Sequence, residues 1–180
     1  MKIIYAEKYV SPRERSLTVE EQEVRRISYA LKVPTNEATG LASYALAPLV
    51  DADAPAGATI VLMPVPSSTN TLRANRALAL ELAQQLRRLS GRHVFIKATV
   101  GRRHPVTSSC FRRRHGQQGI SLEEHGMIRI AGPMTATNTC FYFVDNMATT
   151  GITLKACRQA LGFGDGIVYA DKGICHEETI

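Results

Sequence analysis

The sequence predicts an α/β fold, a parallel sheet covered by helices on both faces, and three observations carry that prediction. Short runs such as residues 59–63 and 140–144 are apolar on consecutive positions, as strands buried on both faces must be. Those runs alternate with segments of helical period, the order expected of strand–helix–strand units. The 180 residues, 44% of them hydrophobic, suit one domain that buries about two-thirds of its extended-chain surface without a disulfide or metal staple.

The elements follow in order. Residues 3–10 form a short strand. Thr18 and Glu21 make a capping box that opens a helix over 19–31, and an apolar stretch at 41–49 predicts a second helix. The Asp/Ala/Pro/Gly-rich residues 51–57 then break the pattern as a linker or turn. After strand 59–63, Leu78, Leu82, Leu86 and Leu89 share one stripe of a helix over 73–89. Further strands are expected at 93–100, 127–131, 140–144 and 166–170, with a helix over 152–161. Residues 101–126 lack periodicity and read as a long loop or flap. The glycines at 162, 164 and 166 follow a helix and precede a strand, the wrong order for a dinucleotide-binding turn, so they read as a helix C-cap and turn. No C-terminal lid is expected, so residues 1–57 must supply any cover over a site.

Charge is uneven. Between Leu82 and Leu122 there are nine cations and no acid, whereas over the rest of the chain 13 cations face 16 acids. Such asymmetry points to an anionic partner, a polyphosphate ligand or a nucleic acid. Only Phe95 and Phe111 are interleaved with those cations, which supports phosphate-directed contact better than base stacking. No apolar run approaches a membrane span, and the N-terminus meets an acid at Glu7, too early for a secretory signal. Cys110, Cys140, Cys157 and Cys175, spaced by 30, 17 and 18, form neither a zinc pattern nor a compact disulfide frame. Reduced thiols in a cytoplasm are the simple reading. The five histidines lack metal-ligand spacing, and no Walker or G-x-S-x-G motif occurs.

The stretch that carries chemistry is FYFVDNMATTGIT, residues 141–153. An apolar strand delivers Asp145 at its carboxyl end, where open α/β sheets bind ligands. Ala148, Thr149, Thr150 and Gly151 then open directly into a helix. The backbone amides there, through Ile152 and Thr153, with the threonine hydroxyls, suit a dianionic phosphate. Asp145 and Asn146 just upstream can bond vicinal sugar hydroxyls. A phosphate cradle beside a hydroxyl acceptor describes a ribose 5-phosphate.

This string resembles the phosphoribosyl-pyrophosphate (PRPP) motif of type I phosphoribosyltransferases. Pro64-Val65-Pro66-Ser67-Ser68 after a strand is similar to that family's pyrophosphate loop. The Pro64-Val65-Pro66 run, the helix opening Arg73-Ala74-Asn75-Arg76-Ala77, and the basic segment 102–115 resemble the ComF-type branch. The resemblance covers about residues 58–171. It implies a phosphoribosyltransferase-type core over 58–180, with residues 1–57 as a small helical subdomain or hood.

By that resemblance the protein is a glycosyltransferase of nucleotide metabolism, passing ribose 5-phosphate from PRPP to a nitrogenous base with loss of pyrophosphate. It implies phosphate on residues 148–153, ribose on Asp145 and Asn146, and pyrophosphate on Ser67 and Ser68. Arg102 and Arg103 would act in catalysis, and Arg112, Arg113 and Arg114 would close over the pyrophosphate. Magnesium would be held through PRPP with no direct protein ligand. Relatives are often dimers, so a homodimer is allowed. Two departures stand out: Asn146 replaces the second acid of the usual pair, and Thr149 stands where 6-oxopurine enzymes usually carry Asp. The ComF zinc cluster is also missing. The alternative is a non-catalytic, ComF-like nucleotide- or PRPP-binding protein in DNA uptake or regulation.

Overall fold

A computed structural model describes residues 1–107, 111–112, 115–131 and 137–173. Five parallel strands form the main sheet in the order β1-β7-β6-β2-β3: β1 (Ile3–Lys8), β2 (Thr59–Pro64), β3 (Val94–Ile96), β6 (Thr139–Ala148) and β7 (Asp165–Asp171). A separate antiparallel ribbon pairs β4 (Val100–Arg102) with β5 (Met127–Arg129). Among the described residues the order also includes the helices α1 (Val19–Ala30), α2 (Asn36–Asp53), α3 (Arg73–Ser90) and α4 (Ile152–Leu161). None of the described helices is long and apolar enough to cross a membrane.

The period of two along each strand splits the apolar side chains between two cores. Ile60, Leu62, Tyr142, Val144, Ile167 and Tyr169 face one side, where Leu46 and Val50 of α2 and Leu78, Leu82 and Leu86 of α3 cover them. Val61, Met63, Phe143 and Val168 face the other, covered by Leu154, Cys157 and Leu161 of α4. Each fully buried Leu or Phe contributes roughly 1.5–3 kcal/mol. Capping fixes the helix starts: Thr18 Oγ1 accepts from the Glu21 amide at 3.3 Å while Glu21 Oε2 accepts from the Thr18 amide at 2.9 Å, the expected capping box. Gly162, in the left-handed conformation, caps the C-terminus of α4 as expected.

The structure corrects the sequence reading in three places. The expected strand 93–100 is two strands, because the chain turns away after Ile96 and Val100 begins the β4–β5 ribbon. The segment read as a loop from residue 101 therefore starts inside a paired strand. The expected helix 41–49 runs from Asn36 to Asp53, with Thr35 capping it by accepting from the Ala38 amide at 3.2 Å. Residues 1–57, read as a small helical subdomain or hood, supply edge strand β1, which pairs with β7, and two helices with side chains in the core that covers one face of the sheet.

One connection defines where ligands would sit. Adjacent strands β2 and β6 send their helices to opposite faces: α3 leads on to β3 at one side, and α4 leads back to β7 at the other. The carboxyl ends of β2 and β6 are therefore the switch point of the sheet, the place at which open α/β sheets bind ligands.

Gly164 shows how tightly β7 is delivered to this sheet. Its φ of +102° suits glycine, and a Cβ there would lie 2.7 Å from the buried Phe143 ring and 3.1 Å from Met63 Cε. Gly164→Ala is expected to destabilise the protein by about 3 kcal/mol, read as a lower urea midpoint. An unchanged midpoint would show that the packing is looser than described.

Candidate ligand site at the sheet switch point

Asp145 lies near the carboxyl end of β6. Its Oδ1 accepts from the Asn146 amide at 2.8 Å and from Asn75 Nδ2 at 3.0 Å. Asn75, in the first turn of α3, also donates from Nδ2 to the Val65 carbonyl at 2.8 Å. One amide group therefore ties the end of β2 to the end of β6, and having two acceptors on Nδ2 fixes its orientation. Asn75 Oδ1 is buried and has no partner among the described residues. Asp145 as a residue is partly exposed. Protein nevertheless encloses its carboxyl enough that burial raises its pKa, against the opposing pull of the two hydrogen bonds and of the Arg102 and Lys32 charges.

Past Asp145 the chain runs through Ala148, held by the Lys172 amide donating to its carbonyl at 3.0 Å, into a bend at Thr149 and Thr150. Gly151 turns left-handed, with φ 65° and ψ 0°, and α4 begins. Among the described residues no acceptor meets the amides of Thr150, Gly151, Ile152, Thr153 or Leu154; the helical ladder resumes with Lys155 donating to the Gly151 carbonyl at 2.9 Å. Such unmet amides at a helix start carry the positive end of the helix dipole. Asn146 is turned elsewhere, its Nδ2 making a long 3.4 Å contact with the Ser28 carbonyl of α1.

The loop after β2 is held by its own side chains. The Ser67 amide donates to the Thr71 carbonyl at 2.8 Å, the Thr71 amide returns to Ser67 Oγ at 3.1 Å, and Ser67 Oγ meets Thr69 and Thr71 hydroxyls at 3.0 and 2.9 Å. Ser68 is half-buried and its carbonyl accepts from the Val106 amide at 2.8 Å. Asn70 adopts φ 60°, a conformation Asn tolerates better than most residues. Its side chain bonds Arg102 reciprocally, accepting from the Arg102 amide at 2.9 Å and donating to the Arg102 carbonyl at 3.1 Å.

Arg102 is the largest departure from expectation. Read as a catalytic cation, it is 6% exposed, and its guanidinium lies under the loop. Nε donates to the Ser67 carbonyl at 2.8 Å, and one terminal nitrogen donates to the His125 carbonyl at 2.9 Å and to His125 Nδ1 at 3.0 Å. As acceptor, Nδ1 leaves the imidazole proton on Nε2. Burial and then the Arg102 charge push the His125 pKa down to about 4, so the ring is neutral at physiological pH. Arg102 is thus a clamp between the loop and the β4–β5 ribbon, because residue 102 ends β4 and no longer belongs to a free flap.

The other basic candidates scatter. Arg103 is exposed, with its amide donating to the Gly126 carbonyl at 3.0 Å. Arg112 pairs with Glu124 at 2.9 Å. Arg113, Arg114 and Cys110 lie outside the described residues. The switch point thus brings together Asp145, the 148–153 turn and the Ser67–Ser68 loop. Sequence reasoning missed the roles of Asn75, Asn70, His125 and Lys32. The only signal was Asn75 in a helix's first turn, an ordinary place for Asn.

No family model matches the chain, and no curated protein matches it either.

Asp145 should leave a signature in stability. A carboxyl raised above its unfolded value holds a proton that unfolding releases, so stability falls as pH rises from the unfolded pKa through the folded one. Asp145→Asn is expected to raise the urea midpoint at pH 7, with the gain vanishing at acid pH where the wild-type carboxyl is also neutral. A variant less stable at pH 7 would show that the ionised carboxylate is favoured in the fold.

Proposed function

We propose that the protein binds PRPP at the β2/β6 switch point and transfers its ribose 5-phosphate to a nitrogenous base, releasing pyrophosphate. The observation that carries this reading is the run of amides from Thr150 to Leu154 that meet no acceptor among the described residues, opening beside Asp145. The 5-phosphate takes those amides and the Thr150 and Thr153 hydroxyls. Asp145 accepts from the ribose hydroxyls, held in place by Asn75. The pyrophosphate lies toward Ser67 and Ser68, on a loop that Arg102 keeps rigid, with exposed Arg103 nearest in sequence to that clamp. The bond from the anomeric carbon to the pyrophosphate oxygen breaks as the base nitrogen attacks, and positive charge builds on the sugar. Donors that grip the leaving oxygens more strongly in that state lower the barrier.

Among the described residues no three His, Cys, Asp or Glu side chains gather as a metal site. Magnesium would be held mainly through the ligand's oxygens and water, and would there neutralise the pyrophosphate charge.

A second reading, PRPP or nucleotide binding without turnover in a ComF-like role in DNA uptake or regulation, is favoured by two observations. Asn146 supplies no negative charge and leans toward Ser28, and Arg102 is engaged beneath the loop. Nucleic-acid contact through the basic window belongs to this reading.

Calorimetry with PRPP and magnesium tests the shared premise. Micromolar binding is expected, weakened at least 10-fold by Asp145→Ala. Affinity should also fall on acidification through the raised Asp145 pKa, because a protonated carboxyl accepts fewer hydroxyl bonds. Absence of binding overturns both readings. Pyrophosphate release with a panel of bases supports transfer, and binding with no release from any base supports the second reading.

A further inference from the structure

Helix α1 ends beside the switch point. Asn146 Nδ2, near the carboxyl end of β6, lies 3.4 Å from the Ser28 carbonyl of α1. Two cations act on the Asp145 carboxyl, Arg102 and Lys32. Arg102 is buried and engaged beneath the loop after β2, whereas Lys32, in the turn after α1, is exposed. Lys32 Nζ stands 4.7 Å from the centroid of the Tyr29 ring, and the Arg25 guanidinium carbon 5.3 Å from the same centroid. Tyr29 is 38% exposed, and cation–π attraction holds both side chains over it. Among the described residues neither Lys32 nor Arg25 has an acidic partner at ion-pair distance. The acids that precede Arg25 and Arg26 are taken: Glu21 by Arg15, Glu23 by Arg26 and Glu14 by Lys172, while Glu20 bonds Thr18 at the helix start. The end of α1 is thus an exposed positive patch without a counter-charge, next to the carboxyl proposed to hold the ribose.

We propose that the acceptor base carries a carboxylate, and that Lys32 and Arg25 bind it. The inference rests on the PRPP reading and adds to it the chemical class of the second substrate. Strand order decides which side the base takes. β6 lies between β2 and β7, and the proposed place of the pyrophosphate is the loop after β2. A nitrogen that displaces pyrophosphate in line enters opposite the leaving oxygen. That is the β7 side, where α1 packs against β1 and β7. The ring nitrogen forms its bond to the anomeric carbon, and the carbon–oxygen bond breaks with its electron pair on the pyrophosphate. Any proton on that nitrogen passes to solvent. Arg25 meets the carboxylate through paired N–H···O bonds and Lys32 as a point charge. Asn146 suits the same ligand, because its amide faces α1 without charge where a second carboxylate would repel an anionic acceptor.

Pyrophosphate release from PRPP and magnesium tests this with two matched pairs of acceptors, orotate against uracil and nicotinate against nicotinamide. The carboxylated member of at least one pair is expected to exceed its neutral counterpart about 100-fold in kcat/KM. Without release, calorimetry of the same pairs on the PRPP-saturated protein reads the preference as affinity. Lys32→Ala should raise KM, or Kd, for the carboxylated base about 10-fold, with PRPP affinity and the urea midpoint unchanged. Lys32→Arg keeps the charge and should lose less than about 3-fold, and Arg25→Ala should act in the same direction as Lys32→Ala. Equal use of both members, preference for the neutral one, or no response to any of the four overturns the proposal and leaves the PRPP reading standing. So does a Lys32→Ala loss that falls on PRPP affinity as strongly as on the base, which would assign the cation to the pyrophosphate. A wild-type chain that binds no PRPP fails at the earlier premise and overturns both.

Discussion

The Asn75 side chain spans the carboxyl ends of β2 and β6, donating to the Val65 carbonyl and to Asp145, and the geometry of the whole crevice depends on it. These strands send their helices to opposite faces, and their pairing ends with the Val65 amide donating to the Val144 carbonyl at 3.0 Å. Beyond that point a buried amide links the two ends through side chains. It also supports a carboxylate that burial disfavours, leaving Asp145 in place as an acceptor where an apolar side chain would suit stability better. An acceptor held at such a cost, beside amides that meet no acceptor among the described residues, is an arrangement that the proposed ligand, carrying both hydroxyls and an anion, would complete.

The second half of the crevice is organised from beneath. Arg102 reaches three backbone carbonyls and a neutral imidazole, and bonds there take the place of a carboxylate partner. A buried guanidinium cannot shed its proton, so its hydrogen bonds must be satisfied, and each constrains a segment. Pro66 and Ser67 belong to the loop after β2, and His125 leads into β5. Loop and ribbon are therefore joined through the Arg102 side chain. His125 remains neutral across physiological pH, which keeps Nδ1 available as an acceptor and makes the clamp insensitive to pH in that range.

Much of this was legible in the sequence where the determining forces are local. The strand–turn–helix at 141–153 could be read because an apolar run ends in polar residues and small hydroxylated ones before a helical period, and α4 lies where that period placed it. The β3–β4 break could not, since the intervening Lys97, Ala98 and Thr99 contain no glycine or proline to signal a turn. The place of β1 is set by pairing with β7, more than 160 residues away, and no local pattern encodes such a partner. Arg102 looked like its neighbours in a basic run. Only tertiary packing separates it from the exposed Arg103, because burial depends on which strand carries the residue.

The account rests on the amides beyond Asp145 being the seat of a sugar phosphate. An amide-resolved NMR titration with ribose 5-phosphate tests that most directly. The account predicts that the largest shifts fall on Gly151, Ile152 and Thr153, and that inorganic phosphate moves the same amides without disturbing Asn75. Shifts confined to the exposed arginines, or no shift in the 150–154 amides at saturating ligand, would contradict it.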